Sequence, residues 1–149
     1  MAAKEPTPSR ALLLDNQLCF DLYSTSLAMT KLYRPLLAKL GLTYPQYVVM
    51  LVLWEADGLM VSEIGARLFL DSGTLTPLLK RLESADLLTR ARDADDERRV
   101  RVTLTTKGHS LKKQALLIPT CVAAQVQSNQ TELRSLGQSI KSLRARLLG

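Results

Sequence analysis

Residues 61–105 read VSEIGARLFLDSGTLTPLLKRLESADLLTRARDADDERRVRVTLT. The first eight have helical spacing, with Ile64 and Leu68 one turn apart on an inward face. Asp71-Ser72-Gly73 supplies a turn and a cap. Leu75, Leu78, Leu79 and Leu82 then form one apolar stripe at helical spacing. Gly73, Pro77, Lys80 and Ser84 lie opposite that stripe, with Thr76 and Arg81 on its flanks. Pro77 removes one backbone donor, but it does so near the helix start. Residues 87–92 and Val100–Leu104 read as two short antiparallel strands, with the clearest alternation in VRVTL. Their connection, residues 93–99 (DADDERR), is too charged to be buried.

Helix, turn, helix and hairpin in this order predict a winged helix-turn-helix, a unit that reads double-stranded DNA. A helix fits the major groove, and residues near its start reach base edges most easily. Ser72, Thr74 and Thr76 offer short hydroxyls for phosphates, base acceptors or a thymine methyl, and Pro77 offers an apolar surface. Lys80 and Arg81 lie one turn further on, where phosphates would be. At the hairpin tip, Arg98 and Arg99 can enter a narrow minor groove, where negative potential is concentrated. Asp96 stands two residues before Arg98 and is expected to brace its guanidinium. The competing readings are an ordinary capped surface helix and a solvated charge run held by weak local ion pairs. A helix pair followed by a hairpin with a basic tip argues against the second of these.

Outside this stretch, residues 1–10 are small, polar and proline-containing and are expected to form a mobile arm. Residues 11–40 carry a helical apolar period, with Asp15 as one cap candidate, a kink or break near Pro35 and an end at Gly41. Thr43 and Gln46 have capping-box spacing, and Pro45 suits the first turn. The run that follows is apolar nearly all round, as in a buried helix, and Asp57-Gly58 stops it. From Thr105 or Thr106 a long helix runs toward Val126, bent or split by Pro119. A polar break at residues 128–131 precedes a last amphipathic helix over residues 132–148, with Leu133, Leu136, Ile140, Leu143 and Leu147 on one face. The expected fold is therefore mainly α with a small β-hairpin wing. It is a single domain over residues 11–149, with the DNA-reading unit at about 45–105 and flanking helices at about 11–40 and 106–148. Those flanking helices hold more apolar surface than a small winged domain covers. They are expected to pack against a second copy, and a two-fold dimer would suit a palindromic site; a monomeric helical cap is the alternative.

Composition sets outer limits. Among 149 residues, 46% are hydrophobic, enough for a packed core, and 20 basic against 14 acidic side chains leave +6, which favours a polyanionic partner. No run reaches the ~18 apolar residues of a membrane span. No apolar signal core opens the chain, so a cytoplasmic location is expected. Two cysteines do not make a disulfide scaffold. His109, the single histidine, has no metal-ligand cluster around it and reads as a surface residue. With no glycine-rich phosphate loop and no paired carboxylates, neither a cofactor nor a metal is expected, and the chain does not read as an enzyme.

Each cysteine then needs its own explanation. Cys19 lies in Leu18-Cys19-Phe20. Spacing alone favours a buried, inert thiol on an apolar face. A sensing thiol must be partly ionised, and a free cysteine is only about 3% thiolate at pH 7. A helix N-terminus and tyrosine hydroxyls are two sources of help. The stretch DADDERRVRVTLTTKG resembles the wing of the MarR-type repressors, D-x-R-x followed by a strand and L-T-x-x-G, here Asp96, Arg98 and Leu104-Thr105-Thr106-Lys107-Gly108. The resemblance covers nearly the whole chain. LCFDLYSTSLAMTKLYRPLLAKLGLTYPQYVVMLVLWE and LDSGTLTPLLKRLE are similar to the organic-hydroperoxide-sensing (OhrR-type) branch.

That resemblance implies that Cys19 is the peroxide-reactive thiol, that Tyr33 and Tyr44 of the partner subunit hydrogen-bond it, and that an organic hydroperoxide is the signal. Oxidation to a sulfenic acid would then release operator DNA. Leu and Phe neighbours would line an apolar pocket. Asp21 departs from the branch, where a small apolar residue is more usual, and a negative charge there would oppose ionisation. In one branch a C-terminal cysteine of the other subunit resolves the sulfenic acid, and Cys121 lies in that region. Other members carry that cysteine about one turn later, where this chain has Ala124, so a purely structural Cys121 stays open. Two other functions stay open as well: a MarR-type regulator responding to a small aromatic ligand, and a thiol peroxidase, against which the basic wing argues.

Overall fold

The structure, a computed structural model, describes residues 8–149. It divides into two compact units, Met1–Ala115 and Leu116–Gly149. Residues 1–7, most of the expected N-terminal arm, lie outside the described residues.

The first unit opens with α1 (Pro8–Ala11), a 3-10 turn (Leu14–Asn16) and α2 (Leu18–Ala38). The continuous helix expected from residue 11 is thus interrupted, and Asp15 does not cap it. Side-chain amides explain the interruption. Asn16 Nδ2 donates to the Arg10 carbonyl (2.6 Å), and Gln17 Nε2 donates to those of Ala11 (2.6 Å) and Leu13 (2.9 Å). These bonds compete with the helical ladder, so α2 starts only at Leu18. Contrary to expectation, α2 runs unbroken across Pro35. It ends in a Schellman-type cap: the Leu42 N–H reaches the Leu37 carbonyl, the Gly41 N–H reaches that of Ala38, and Gly41 sits at φ +69°. The capping box opens α3 (Tyr44–Glu55) as its spacing predicts, with Gln46 N–H on Thr43 Oγ1 (3.4 Å) and Thr43 N–H on Gln46 Oε1 (3.0 Å). Tyr47, Val49, Met50, Val52 and Leu53 bury this helix in the core.

Next come β1 (Leu59–Met60), α4 (Val61–Leu68) and α5 (Ser72–Ser84). Ile64 is fully buried, and Leu75, Leu79 and Leu82 fill the core side of α5, while Leu78 is half-buried. Strands β2 (Leu88–Arg92) and β3 (Val100–Leu104) pair antiparallel from Leu88↔Leu104 to Arg92↔Val100. A third strand was not legible in the sequence: β1 pairs with β3 on its other edge, Leu59↔Val102 and Met60↔Arg101, giving the order β1-β3-β2. Two residues are too few to show alternation, and the pairing is set by a partner more than forty positions away. Asp57, read only as a helix stop, proves to be a staple for this sheet. Its Oδ1 accepts the N–H groups of Leu104 (2.9 Å) and Gly58 (2.8 Å), and its Oδ2 meets His109 Nε2 at 3.2 Å. His109 remains largely exposed, as expected.

Helix α6 (Thr106–Ala115) closes the first unit. Thr105 Oγ1 accepts the Gly108 N–H (3.0 Å) and donates to the Asp86 carbonyl (2.6 Å), tying the helix start to the end of the α5 segment. The second unit holds α7 (Ile118–Val126) and α8 (Gln130–Leu148). The helix expected toward Val126 is indeed split ahead of Pro119, whose ring cannot follow the carbonyl of Ala115 in a continuous helix. Asn129 caps α8 by accepting the Glu132 N–H at 2.8 Å, so α8 begins two residues earlier than its apolar period indicates. No residue of α8 is buried, and Leu136, Ile140 and Leu147 on its apolar face are exposed. No helix among the described residues is long and apolar enough to cross a membrane, and none of their side chains cluster as a metal site.

Candidate nucleic-acid interface and thiol site

The predicted site residues fall into two groups, all in the first unit except Cys121, which lies in the second. The first group surrounds a cleft of about 320 Å³ between α5 and the wing. Ser72 and Thr76 of α5 and Arg98 and Arg99 of the wing all line it. Local chemistry aims α5 into this position. Asp71 Oδ1 accepts the Thr74 N–H at 2.7 Å, capping the helix. Those hydrogen bonds from Thr74 hold the Asp71 carboxyl below the usual carboxylate range, so it is ionised at neutral pH. The Thr76 hydroxyl donates back to the Ser72 carbonyl (2.7 Å). Thr74, Pro77, Lys80 and Arg81 are exposed on α5 but are not part of the cleft wall. Pro77 leaves the helix unbroken.

The wing differs from expectation in one contact. Asp96 Oδ1 accepts the backbone N–H of Arg98 at 3.0 Å and makes no ion pair with its guanidinium. The carboxylate therefore shapes the tip and leaves the guanidinium available. Asp93 N–H to Arg99 carbonyl (2.7 Å) and Arg99 N–H to Asp96 carbonyl (2.9 Å) close the same loop.

Sequence reasoning passed over Ser62 and Arg90, which also line the cleft. Arg90 pairs with fully buried Val102 in the sheet, which places it on the strand's inner face in phase with Leu88. Its backbone N–H and its Nη2 both donate to Glu83 of α5, at 3.0 and 3.1 Å. The hydrogen bond from the Arg90 side chain holds the Glu83 carboxyl below its ordinary range. Arg90 Nε is covered and has no hydrogen-bond partner among the described residues. The signal was present in the sequence: period-2 alternation from Leu88 puts a charged residue where an apolar one is expected.

The second group concerns the thiols. Cys19 is the second residue of α2 and is exposed, which overturns the buried placement that spacing alone favours. The helix begins seven residues later than its apolar period starts, and this puts Cys19 in a first turn, where unpaired N–H groups favour negative charge. Leu18 and Phe20 beside it are exposed too. Tyr33 and Tyr44 are brought together from α2 and α3, ring centroids 5.0 Å apart and edge-on, with Tyr47 behind them at 5.9 and 6.3 Å. Burial, and secondarily the neighbouring Tyr44, push the Tyr33 phenol above its ordinary range, so it keeps its proton as a hydrogen-bond donor. Cys19 and Tyr33 share one helix, about 21 Å apart along its axis at 1.5 Å per residue. They do not form one site within a single chain. Cys121, in the first half of α7, is also exposed.

Comparison with known proteins agrees with this architecture. The family model described as Transcriptional regulator SarA/Rot matches residues 31–115. The chain is 52% identical over 134 residues to the HTH-type transcriptional regulator TtmR of Methylorubrum extorquens, covering 90% of this chain and 69% of that protein. It is 48% identical over 130 residues to the organic hydroperoxide resistance transcriptional regulator of Bacillus subtilis, covering 87% and 88% of the two. Among solved structures it is similar to AbfR of Staphylococcus epidermidis. Reduced AbfR bound to DNA superposes with a TM-score of 0.75 at 32% identity, over 91% of this chain and 95% of that one. Disulfide-formed AbfR gives 0.64 at 35% identity, over 87% and 91%.

Proposed function

This chain belongs to the MarR-type winged-helix transcriptional regulators, in the branch of the organic hydroperoxide resistance regulator, and we propose that it is a dimeric repressor that leaves its operator DNA when an organic hydroperoxide oxidises Cys19. Its relatives are regulators rather than enzymes, so one reaction per signal suffices and no turnover is required.

The observation that carries the reading is the placement of Cys19 and the tyrosine pair. An exposed thiol stands in the first turn of α2, and about four turns further along the same helix Tyr33 meets Tyr44 from the start of α3. They can meet only if a second copy brings its α2–α3 pair to the thiol of the first. Uncovered apolar surface supports such a dimer. Leu12, Leu14 and Leu18 are exposed in the first unit, as are Leu116, Leu117, Leu136 and Leu147 in the second. Each unit thus leaves apolar side chains uncovered, and in each they lie in the segments expected to dimerise, about 11–40 and 106–148.

The chemistry is a two-electron exchange. The Cys19 thiolate attacks one oxygen of the hydroperoxide, the O–O bond breaks, and the sulfur becomes a sulfenic acid while the organic fragment leaves as an alcohol after taking a proton. Tyr33 and Tyr44 of the partner subunit donate hydrogen bonds to the thiolate. Leu18 and Phe20 supply an apolar wall that suits an organic peroxide better than hydrogen peroxide. Cys121 of the partner subunit then condenses with the sulfenic acid, forming a disulfide and releasing water. On the DNA side, each α5 enters a major groove and each wing enters the adjacent minor groove. Base readout tolerates little misplacement, so a change in the spacing of the two reading heads is enough for release. The related AbfR is known in DNA-bound reduced and in disulfide-formed states, which supports a thiol-controlled switch here.

Trapping the oxidised thiol tests the sensing half. One equivalent of cumene hydroperoxide, with a sulfenic-acid-specific probe and peptide mass analysis, should label Cys19 or link it to Cys121, and should do so faster than hydrogen peroxide. An unmodified Cys19 after complete peroxide consumption contradicts the reading.

A further inference from the structure

The cleft between α5 and the wing has an occupant that follows from geometry. With α5 in a major groove and the wing tip in the neighbouring minor groove, the sugar–phosphate strand dividing those grooves must run between them. Ser72 and Thr76 stand on one side of that path, Arg98 and Arg99 on the other, and Ser62 and Arg90 complete the wall. Arg90 is the unusual member. It is a cation on the inner face of a strand, with Glu83 accepting from its backbone N–H and from Nη2. A guanidinium has five donor hydrogens. Glu83 is the only acceptor its side chain meets among the described residues, and the covered Nε has none. Nε is closed to an outside group, so the donors that an acceptor arriving in the cleft can reach are those of Nη1 and Nη2 at the partly exposed end of the side chain.

We infer that Arg90 is a receptor for a backbone phosphate: the DNA strand passing between α5 and the wing supplies the acceptor its guanidinium lacks, and Glu83 holds the guanidinium in place for it. The Ser62 hydroxyl, in the same cleft, is a second donor for that phosphate. This inference rests on the DNA-binding reading above. It adds a contact that is blind to base sequence and so sets register and overall affinity rather than operator choice.

Anisotropy titrations of the full-length protein test it. The probes are a duplex from the intergenic region upstream of its own gene and a scrambled duplex of equal length, each at salt from about 50 to about 200 mM. Arg90→Gln should weaken both duplexes alike, by about tenfold, and make the slope of log affinity against log salt shallower by about one. Arg90→Lys should restore the wild-type slope. A purely structural role would lower affinity without moving the slope, so an unchanged slope in Arg90→Gln overturns the inference. Unaltered protein gives a check that does not depend on how the variant folds. Replacing single phosphates by neutral methylphosphonates should reveal one position per half-site, between the two grooves, that weakens binding about tenfold. Finding no such position also overturns the inference. Failure of the wild-type protein to bind either duplex overturns the DNA-binding reading and this inference with it.

Discussion

Replacing Arg98 and Arg99 together by alanine is expected to weaken operator binding at least ~100-fold while Cys19 still oxidises at the wild-type rate. Both guanidiniums are exposed at the wing tip, and neither is held in an ion pair among the described residues. Their full charge is therefore available to the strongly negative potential of a narrow minor groove. A charge-assisted hydrogen bond contributes about 1.5–3 kcal/mol, roughly ten- to a hundredfold in affinity for each arginine. The fold should not suffer, because the tip is closed by backbone bonds and by Asp96 on the Arg98 N–H. Circular dichroism and peroxide-labelling of Cys19 should match the wild type, and gel shifts should show the loss. Unchanged binding by the double variant would remove the wing from the interface.

Gly108→Ala should be the most damaging single substitution in the reading unit. A Cβ on Gly108 would overlap the carbonyl oxygen of Leu87, and the Leu104 side chain lies 3.2 Å from the same point. Neither the Leu87 backbone nor buried Leu104 can move freely, because Thr105 N–H bonds the Leu87 carbonyl and Leu104 pairs with Leu88 across the sheet. The Gly108 carbonyl also accepts Trp54 Nε1–H at 2.9 Å, which anchors α3 to α6. Overpacking against a fixed backbone costs ~3 kcal/mol or more. The expected result is a urea midpoint far below the wild type's, with DNA binding lost at the temperature where the variant unfolds. A midpoint unchanged within error would mean that α6 can shift freely against residue 87.

These cases show what a sequence reader can and cannot reach. Capping at Thr43 and Gln46, the α5 stripe and the split at Pro119 depend on residues within one or two turns, so local pattern was enough. The glycine in L-T-x-x-G was recognisable as part of a motif, but its reason, contact with the Leu87 carbonyl, is tertiary. The same holds for β1, set by pairing with Val102 and Arg101, and for Asp57, whose carboxylate reaches Leu104 and His109. At the start of α2 the apolar period misled, because Asn16 and Gln17 side chains took carbonyls that a continuous helix would have used. The later start matters for function, since it moves Cys19 from early in a helix to its first turn. In the candidate interface, Ser72, Thr76, Arg98 and Arg99 were legible as polar groups on two exposed elements. The alternation from Leu88 carries the face of β2 that Arg90 occupies, but its meaning depends also on Glu83 of another element, which no local pattern shows.

The most direct test of a thiol-controlled repressor is DNA release followed in one cuvette. Anisotropy of a labelled upstream duplex is recorded with reduced wild-type protein, after stoichiometric cumene hydroperoxide, and after re-reduction with dithiothreitol, alongside Cys19→Ser. Wild-type protein should bind, release on oxidation and rebind on reduction, while Cys19→Ser binds and stays bound throughout. Release of Cys19→Ser by the same peroxide dose would contradict the account.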